Sequence, residues 1–369
     1  MRVLHVTPTF SPTVGGIESV VSKLSGQLAR CGTDADVAHV AVGLNRKEEF
    51  IGGTRVWRVP LYGHRLLGVA PGLASVASAY DLLHVHDPQL SAITANVALF
   101  GRGVPAVLST HGGFWHTASF RSAKRIYCRT GLKSVLGYYS LLLASSKSDL
   151  AAFSEYSARV VLAENGVDVE SFSGVRASTR RSVFRWIYWG RLANHKRIDA
   201  VIGLVARARA LGCPIDLVVC GADVDRVAPG LNEAIARSSL NGAIRLRPAL
   251  RESQLLDELS GRGVFVTASQ HEGFGLTVIE AMAAGLLVIC RDIAPLNEFV
   301  ADSVHGARLA FDGGEADDQR LMRVLKAPPH EVESMSAAAR TTAARYAWPT
   351  AVKRFQDLYA SVVEERRVN

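Results

Sequence analysis

The amino-acid sequence predicts an α/β protein of two doubly wound, mostly parallel domains, and three observations indicate this class. Short apolar runs alternate with helical stretches along the whole chain, which is typical of parallel strands joined by helical crossovers. The alternation pauses at a polar, Ser- and Arg-rich segment after residue 170 and then starts again. A chain of 369 residues is also long enough for two domains of ordinary size.

The same pattern places the domain boundaries. We expect a first Rossmann-like domain over 1–170, a linker over 171–182, a second Rossmann-like domain over 183–345, and a closing helical segment over 346–369.

The predicted strands are apolar runs bounded by turn residues. They cover 2–7, 36–42, 54–60, 81–85, 105–109, 141–145 and 158–163 in the first half, and 184–189, 215–220, 243–247, 264–268, 286–290 and 306–311 in the second. Helical patterns cover 17–30, 197–211, 276–284, 331–345 and 349–365. Because ligands of such sheets gather at the carboxyl ends of strands, the loops there are the first candidates for a site.

The composition and the N-terminal sequence predict a globular protein that is cytosolic or attached to a membrane from the cytosol. Hydrophobic residues make up 48% of the chain, yet no window of about eighteen apolar residues occurs, and Pro8 interrupts the N-terminus too early for a signal-peptide core. The cysteines are odd in number and form no C-x-x-C pair, which favours reduced structural thiols. A formal charge of +8 favours an anionic partner: a nucleotide, a nucleic acid or a lipid headgroup.

The stretch 264–298 has the strongest functional signal. An apolar strand is followed by His271, Glu272, Gly273, Phe274 and Gly275, and then by a helix that contains Leu276 and Glu280. The first amides of such a helix have no partner within the helix and can hold phosphate oxygens. Two carboxylates flank these amides, which suits a ligand with hydroxyl groups at both ends and a diphosphate in the middle. The alternative is an ordinary strand-to-helix turn with two solvated glutamates.

Glycine pairs and a histidine follow two strands of the first half. Gly15 and Gly16 allow a ligand to approach the backbone closely or simply form a tight turn, and their spacing does not match the G-x-G-x-x-G dinucleotide pattern. His111 lies between Thr110 and Gly112. A histidine there can donate to a sugar hydroxyl or a developing charge, or it can be structural.

Cations follow the first strand of the second half. Arg191 and Lys196 lie in its strand-to-helix loop and can neutralise a diphosphate, or they are ordinary surface charges. Asp223 and Asp225 form a D-x-D triplet. A divalent ion bound there is the weaker interpretation, because basic groups already offer phosphate neutralisation.

A basic stripe marks the middle of the first half. Between Asp87 and Asp149 the chain has no acidic residue. The stripe consists of Arg121, Lys124, Arg125, Arg129 and Lys133. If helical, most of these cations share one face, which suits an anionic membrane surface or a solvated helix.

In order and spacing, these motifs resemble the retaining GT-B glycosyltransferases of family 4. The motifs are Gly15-Gly16, Thr110-His111-Gly112, Glu164-Asn165-Gly166-Val167-Asp168, Gly190-Arg191 with Lys196, and Glu272-Gly273-Phe274-Gly275 ending at Glu280. Within the family, the stretches 109–118 and 291–295 look most like the α-mannosyltransferases that use GDP-mannose and a cellobiosyl-diphosphopolyprenol acceptor in polysaccharide assembly of the xanthan and acetan type.

The resemblance implies a fold, partners and a location. The two domains would face a central cleft, the first towards the acceptor and membrane, the second binding the nucleotide sugar, and the last helix would cross back onto the first domain. The donor would be GDP-mannose, the acceptor a polyprenyl-diphosphate-linked saccharide, and no metal or other cofactor would be needed. The protein would be peripheral on the cytosolic face of the inner membrane, where the basic stripe would contact anionic lipid.

The resemblance also implies residue roles. His111 would meet the transferred sugar, Arg191 and Lys196 would neutralise the diphosphate, Glu272 would hold sugar hydroxyls, and Glu280 would bind the ribose. The remaining donor contacts would come from the backbone of Gly15, Gly16, Phe274, Gly275 and Leu276.

Two other functions stay open at this point. A UDP-sugar epimerase of similar shape would need a diphosphate clamp together with acid and base groups for proton abstraction. A nucleotide-sugar-binding protein without catalysis would need the clamp alone. A nucleic-acid partner is not expected, because the basic stripe lacks regularly spaced aromatic residues for base stacking.

Overall fold

A computed structural model describes residues 1–12, 15–101, 103–112, 131–175 and 182–368. The chain divides into two compact units. The first unit comprises Met1–Gly166 and Trp348–Asn369, and the second comprises Val167–Ala347.

Strands and helices alternate in both units. The strands are β1 (Arg2–Thr7), β2 (Asp34–Ala41), β3 (Lys47–Ile51), β4 (Thr54–Pro60), β5 (Leu82–His86), β6 (Ala106–Ser109), β7 (Leu141–Ala144), β8 (Val160–Leu162), β9 (Ser182–Trp189), β10 (Asp216–Cys220), β11 (Ile244–Arg247), β12 (Arg262–Thr267), β13 (Leu287–Arg291) and β14 (Gly306–Leu309). The helices among the described residues are α1 (Gly16–Arg30), α2 (Leu73–Ala77), α3 (Ala92–Phe100), α4 (Lys133–Leu136), α5 (Lys147–Ser154), α6 (Val169–Ser173), α7 (Ile198–Ala210), α8 (Ala228–Arg237), α9 (Glu252–Leu259), α10 (Leu276–Ala283), α11 (Leu296–Phe299), α12 (Glu315–Leu325), α13 (Pro329–Ala344) and α14 (Trp348–Val368). A 3₁₀ turn covers Asn194–Lys196.

The first unit is built on an eight-stranded sheet. Its strand order is β3-β4-β2-β1-β5-β6-β7-β8, and β3 pairs antiparallel with β4 while the other neighbours are parallel. The antiparallel edge strand β3 was not predicted from the sequence. Chain order reverses between β1 and β5. The connection after β1 leads towards one side of the sheet, and the connection after β5 leads towards the other side.

The second unit is a six-stranded, fully parallel sheet. The order β11-β10-β9-β12-β13-β14 reproduces the doubly wound order 3-2-1-4-5-6, with its reversal between β9 and β12. Strand β12 lies in the interior of this unit, where Val264, Phe265 and Val266 are fully buried. Successive residues of a strand point to opposite faces, so both faces of the sheet are covered, as is usual for a parallel sheet packed between helices. The crevice beyond the carboxyl ends of β9 and β12 is where such sheets bind ligands.

The segment predicted as a linker over 171–182 differs in the structure. Residues 169–173 form α6, whose N-terminus is capped by the Asp168 side chain, an acceptor from the amide of Ser171 at 3.3 Å. Phe172 is only 3% exposed and packs in the core of the second unit. Ser182 begins β9, and residues 176–181 lie outside the described part. The segment is polar overall, but Val169, Phe172 and Val175 recur every third residue and therefore lie on one side of the chain. These three apolar side chains are enough to bury one face of a short helix.

The last helix, α14, belongs to the first unit. Trp348, Val352, Phe355 and Tyr359 are buried on it, and they share a hydrophobic cluster with Val3 of β1 and other first-unit residues.

Candidate active site

Lys196 and Glu272 meet in the second unit. Nζ of Lys196 lies 2.6 Å from Oε1 of Glu272, and the two side chains are only 13% and 11% exposed. Lys196 ends the 3₁₀ turn after β9, and Glu272 lies in the loop after β12. Because β9 and β12 are neighbours in the sheet, their following loops are brought side by side. An ammonium group has three N–H donors, so this contact leaves Lys196 with capacity for a further anion.

The electrostatics of Glu272 favour the charged form. Burial alone would raise the pKa of this carboxyl, but the charge and hydrogen bond of Lys196, a hydrogen bond from Ser269 and the charge of His195 outweigh it. The pKa of Glu272 is therefore held below its ordinary value. A carboxylate that stays ionised can accept hydrogen bonds from hydroxyl groups of a ligand.

Backbone contacts hold the two loops together. The amide of Gln270 donates to the carbonyl of His195 at 2.8 Å. Close packing at the strand ends also needs glycine, because a Cβ atom at Gly221 would lie 1.9 Å from the carbonyl oxygen of Gly190. The positions of Lys196 and Glu272 are thus set by the sheet and by direct loop-to-loop bonding.

Gly275 starts α10 in a conformation that needs glycine. Its φ is +92°, and a Cβ atom there would lie 2.8 Å from Cδ2 of Leu296. As the residue before the first helical turn it has no side chain to cap the first amides, which leaves them and their partial positive charge to an anion. Phe274 is buried against Phe299 and Tyr346, so its ring is a core residue. Leu276 is half-buried.

Glu280 lies in the second turn of α10. Its Oε2 accepts a hydrogen bond from Nε1 of Trp189 at 3.1 Å. Trp189 is itself buried, with its ring edge against Phe265 at a centroid distance of 4.6 Å. Trp189 was not singled out from the sequence. It ends β9, and it orients the carboxylate for which the family resemblance implies a ribose-binding role.

Arg191 is exposed just beyond the end of β9. Among the described residues its guanidinium makes no ion pair, and its carbonyl accepts a hydrogen bond from the hydroxyl of Tyr188 at 2.9 Å. The pKa of Tyr188 is raised, first by burial and then by the charge of Glu272, with Arg191 acting in the opposite direction.

The two carboxylates of the D-x-D triplet accept hydrogen bonds from backbone amides of two loops. Asp223 accepts hydrogen bonds from the amides of Val227 at 2.7 Å and Ala228 at 3.1 Å, and Asp225 accepts from the amide of Asn194 at 2.9 Å. Both carboxylates therefore stabilise the connections after β9 and β10.

In the first unit, Gly15 and Gly16 lie at the start of α1. Gly15 is extended and provides no side-chain cap, and a Cβ atom at Gly16 would meet nothing within 4 Å. Residues 13 and 14 of the same loop lie outside the described part. The open space at Gly16 is compatible with close approach of a ligand, and nothing in the described packing requires a glycine there.

His111 follows β6 in a left-handed conformation, with φ of +48°. Its Nε2 lies 2.9 Å from Nδ1 of His86. The flanking residues are held by Asp149, which accepts from the Thr110 hydroxyl and from the Gly112 amide. Burial lowers the pKa of His111 to about 4, so the ring is neutral at physiological pH.

A cluster of buried histidines, which was not predicted from the sequence, stands behind His111. His5, His84 and His86 are fully buried, and the register of β1 against β5 sets His5 opposite His84. The available signal was the H-x-H spacing in β5, which puts two imidazoles on the same face of a strand.

The basic stripe falls mostly outside the described residues. Arg121, Lys124, Arg125 and Arg129 lie in the undescribed range, while Lys133 begins α4 and is exposed. Among the helices that the structure describes, none combines the length and apolarity needed to cross a bilayer.

Comparison with known proteins identifies both halves of the chain. A family model described as Glycosyltransferase Family 4 matches residues 14–171, and one described as Glycosyl transferases group 1 matches residues 180–342. The chain is 28% identical to a GDP-mannose:cellobiosyl-diphosphopolyprenol alpha-mannosyltransferase of Xanthomonas oryzae pv. oryzae, over 100% of this chain and 99% of that protein. A protein of the same name from Komagataeibacter xylinus is 28% identical, over 98% and 94% of the two chains.

Solved structures agree on the fold. Sucrose-phosphate synthase from Thermosynechococcus elongatus superposes with a TM-score of 0.76 at 16% identity, over 99% of this chain and 100% of that one. HepE from Anabaena, in complex with UDP and glucose, gives 0.75 at 17% identity, over 98% and 100%. The predicted GT-B class is confirmed, with two parallel-sheet α/β units.

Proposed function

Because this chain is a glycosyltransferase, with a family 4 domain over 14–171 followed by a group 1 domain over 180–342, we propose that it transfers an α-mannosyl residue from GDP-mannose. The proposed acceptor is a cellobiosyl saccharide linked to polyprenyl diphosphate, as in exopolysaccharide assembly. Similar proteins from Xanthomonas oryzae and Komagataeibacter xylinus carry this donor and acceptor in their names. A third, from Mycobacterium tuberculosis, is 27% identical and is named a GDP-mannose-dependent alpha-mannosyltransferase.

One observation carries the proposal. The 2.6 Å contact between Lys196 and Glu272 lies at the carboxyl ends of neighbouring strands, and the uncapped start of α10 follows Glu272 by a few residues. A cation, an ionised carboxylate and free helix amides together suit a ligand that carries hydroxyl groups next to a diphosphate.

In the proposed reaction the diphosphate is the leaving group. The bond between the anomeric carbon and the donor phosphate oxygen breaks, and negative charge grows on the diphosphate. The exposed guanidinium of Arg191, the spare donors of Lys196 and the first amides of α10 stabilise that charge. Glu272 holds sugar hydroxyls, His111 contacts the transferred sugar, and Glu280 accepts from the ribose.

We propose that the configuration at the anomeric carbon is retained without a covalent enzyme intermediate. The acceptor hydroxyl oxygen attacks from the face that the diphosphate leaves, and its proton passes to a departing phosphate oxygen. No metal takes part in this scheme. Asp223 and Asp225, the two carboxylates considered as metal ligands in the sequence, accept hydrogen bonds from loop amides.

We also propose that the enzyme works at the cytosolic face of the inner membrane. A lipid-linked acceptor requires contact with a bilayer, and the cations at 121–133 supply attraction to anionic headgroups. Lys133, the described member, is exposed as this proposal requires.

The test uses the purified full chain with anionic vesicles that contain cellobiosyl-diphosphopolyprenol. GDP-mannose, UDP-glucose and UDP-GlcNAc are supplied in turn, with and without EDTA. We expect GDP release and mannosylated lipid from GDP-mannose only, at the same rate in EDTA. Donor binding without turnover would instead identify a binding protein, and interconversion of UDP sugars would identify an epimerase.

A further inference from the structure

Three imidazoles form a hydrogen-bonded row that ends at His111. Nδ1 of His5 lies 2.9 Å from Nε2 of His86, and Nδ1 of His86 lies 2.9 Å from Nε2 of His111. The row crosses the sheet from β1 through the end of β5 to the residue that follows β6 by two positions. His5 and His86 are fully buried.

All three rings are neutral at physiological pH, because burial disfavours the imidazolium form. Burial lowers the pKa of His5 to about 3 and that of His111 to about 4. The pKa of His86 is held well below its ordinary value, first by burial and then by unfavourable electrostatics with the neighbouring histidines. A neutral imidazole has one N–H and one bare nitrogen. His86 therefore donates to one neighbour and accepts from the other, so both bonds in the row point the same way.

The donor-to-acceptor direction of these hydrogen bonds follows from the end of the row at His5. Nε2 of His5 is buried and has no hydrogen-bond partner among the described residues. If the bonds ran from His111 towards His5, that nitrogen would carry a buried N–H without an acceptor, an arrangement that is rare and costly. In the opposite direction His5 keeps its proton on Nδ1, and only a lone pair is left unused.

His84 stands beside the row and does not belong to it. Its Nδ1 contacts the Tyr359 hydroxyl at 2.6 Å and its Nε2 contacts the Ser109 hydroxyl at 2.7 Å. Nitrogen atoms of His5, His84 and His86 lie within 4.8 Å of one another, a spacing that also suits a metal ion. Since both nitrogens of His84 and of His86 already have hydrogen-bond partners, we assign the cluster to hydrogen bonding.

We propose that His86, oriented by His5, is a positioning residue that holds His111 in the tautomer with its proton on Nδ1. This inference rests on the proposed function, in which His111 contacts the transferred sugar. It adds that His111 meets the sugar as an N–H donor and does not act as a general base. A donor agrees with a reaction in which the leaving phosphate takes the acceptor's proton.

The tautomer can be read without any substrate. We suggest ¹⁵N-histidine labelling of the full chain and long-range ¹H–¹⁵N correlation spectra at pH 7, with His111 assigned by its loss in a His111→Gln variant. A protonated Nδ1 and a bare Nε2 on His111 are expected. A proton on Nε2, on both nitrogens, or shared equally between them would overturn the proposal. Failure of the donor assay would leave this result unaffected, so the two hypotheses fail separately.

Two matched variants test the role of His5. His5→Phe keeps a buried ring but removes the donor at the start of the row, whereas Tyr359→Phe removes a buried hydroxyl that contacts only His84 of the cluster. In His5→Phe we expect a mixed His111 tautomer and a kcat lowered about 10-fold at unchanged KM, because full loss of one preorganised donor costs about 10²–10³-fold. Tyr359→Phe should change neither. An unaltered tautomer in folded His5→Phe would show that His5 does not set the direction, and if that variant does not fold, the wild-type spectrum still decides.

Discussion

The ammonium group of Lys196 lies 2.6 Å from the carboxylate of Glu272, although 76 positions separate them along the chain. The contact ties the loop after β9 to the loop after β12 at the reversal point of the second sheet. Both side chains are largely buried, so the ion pair gives each charged group a partner where little water can reach it. The pair is therefore both a structural joint and the centre of the proposed donor site.

Removal of Lys196 should damage activity and stability together. Lys196→Met leaves a largely buried carboxylate without its partner, and we expect a loss of about 3 kcal/mol in the free energy of unfolding, with transfer reduced at least ~10²-fold. Urea denaturation and steady-state kinetics measure the two effects. Lys353→Met is the control, since Lys353 pairs with Asp357 on an exposed face and such pairs contribute little. Equal behaviour of the two variants would contradict the assigned role.

The pH dependence of stability should reveal the ionised state of Glu272. Its folded-state pKa is lowered, so its contribution is fully present above the unfolded-state pKa of about 4.3 and is lost as pH falls through the lower folded value. The difference in unfolding free energy between wild type and Glu272→Gln should be constant from about pH 6 to 8 and shrink below about pH 4. A difference that grows on acidification would show that the carboxyl is protonated in the fold.

A side chain at Gly275 should distort the start of α10. Gly275→Ala combines a φ of +92° with a contact of 2.8 Å to Leu296, and we expect destabilisation of about 1–3 kcal/mol and weaker binding of GDP. Gly203→Ala is the matched control, because it lies inside α7 and its new Cβ atom meets nothing within 4 Å. That variant should be stabilised by about 0.5–1 kcal/mol. Thermal unfolding and calorimetric titration distinguish the two.

The ribose assignment of Glu280 can be tested with a truncated nucleotide. Wild type should bind GDP at least ~10-fold more tightly than 2′,3′-dideoxy-GDP, since a hydrogen bond to a charged group contributes about 1.5–3 kcal/mol. Glu280→Gln should lose most of that preference, whereas Glu233→Gln, an exposed change on α8, should keep it. If the preference survives in Glu280→Gln, the ribose hydroxyls bind elsewhere.

The basic stripe predicts a charge-dependent attachment to membranes. Changing Arg121, Arg125 and Arg129 to Glu should weaken sedimentation with anionic vesicles about 10²-fold or more, because each cation near the surface contributes about 1 kcal/mol. Changing Lys47, Arg237 and Lys353 to Glu alters the net charge equally at exposed positions and should have a much smaller effect. Equal losses in both variants would show that attachment depends on the net charge of the protein and not on the basic stripe.

Much of the fold followed from local patterns. Continuous apolar runs such as 264–268 indicate strands buried on both faces, and the periodic run after Gly275 indicates a helix. The linker predicted over 171–182 was wrong for residues 171–173, which belong to α6, because the few apolar residues there lie in a polar stretch and their burial depends on a core supplied by distant residues. The edge strand β3 was not predicted for a similar reason. Its composition is mixed, and it is held as a strand by its pairing with β4 and not by a pattern in its own sequence.

The sequence by itself determined which chemical groups are available: a glycine-started helix, cations after β9, carboxylates at 272 and 280, and a histidine after β6. Spacing along the chain decides the face of an element on which a residue lies, so these local features could be inferred. Only the tertiary structure decided the partners. Strand order brings Lys196 to Glu272 and Trp189 to Glu280, and the pairing of β1, β5 and β6 brings His5 and His86 into the hydrogen-bonded row with His111. Those pairings depend on which strands lie side by side, which is settled by burial of the whole core and not by any local pattern.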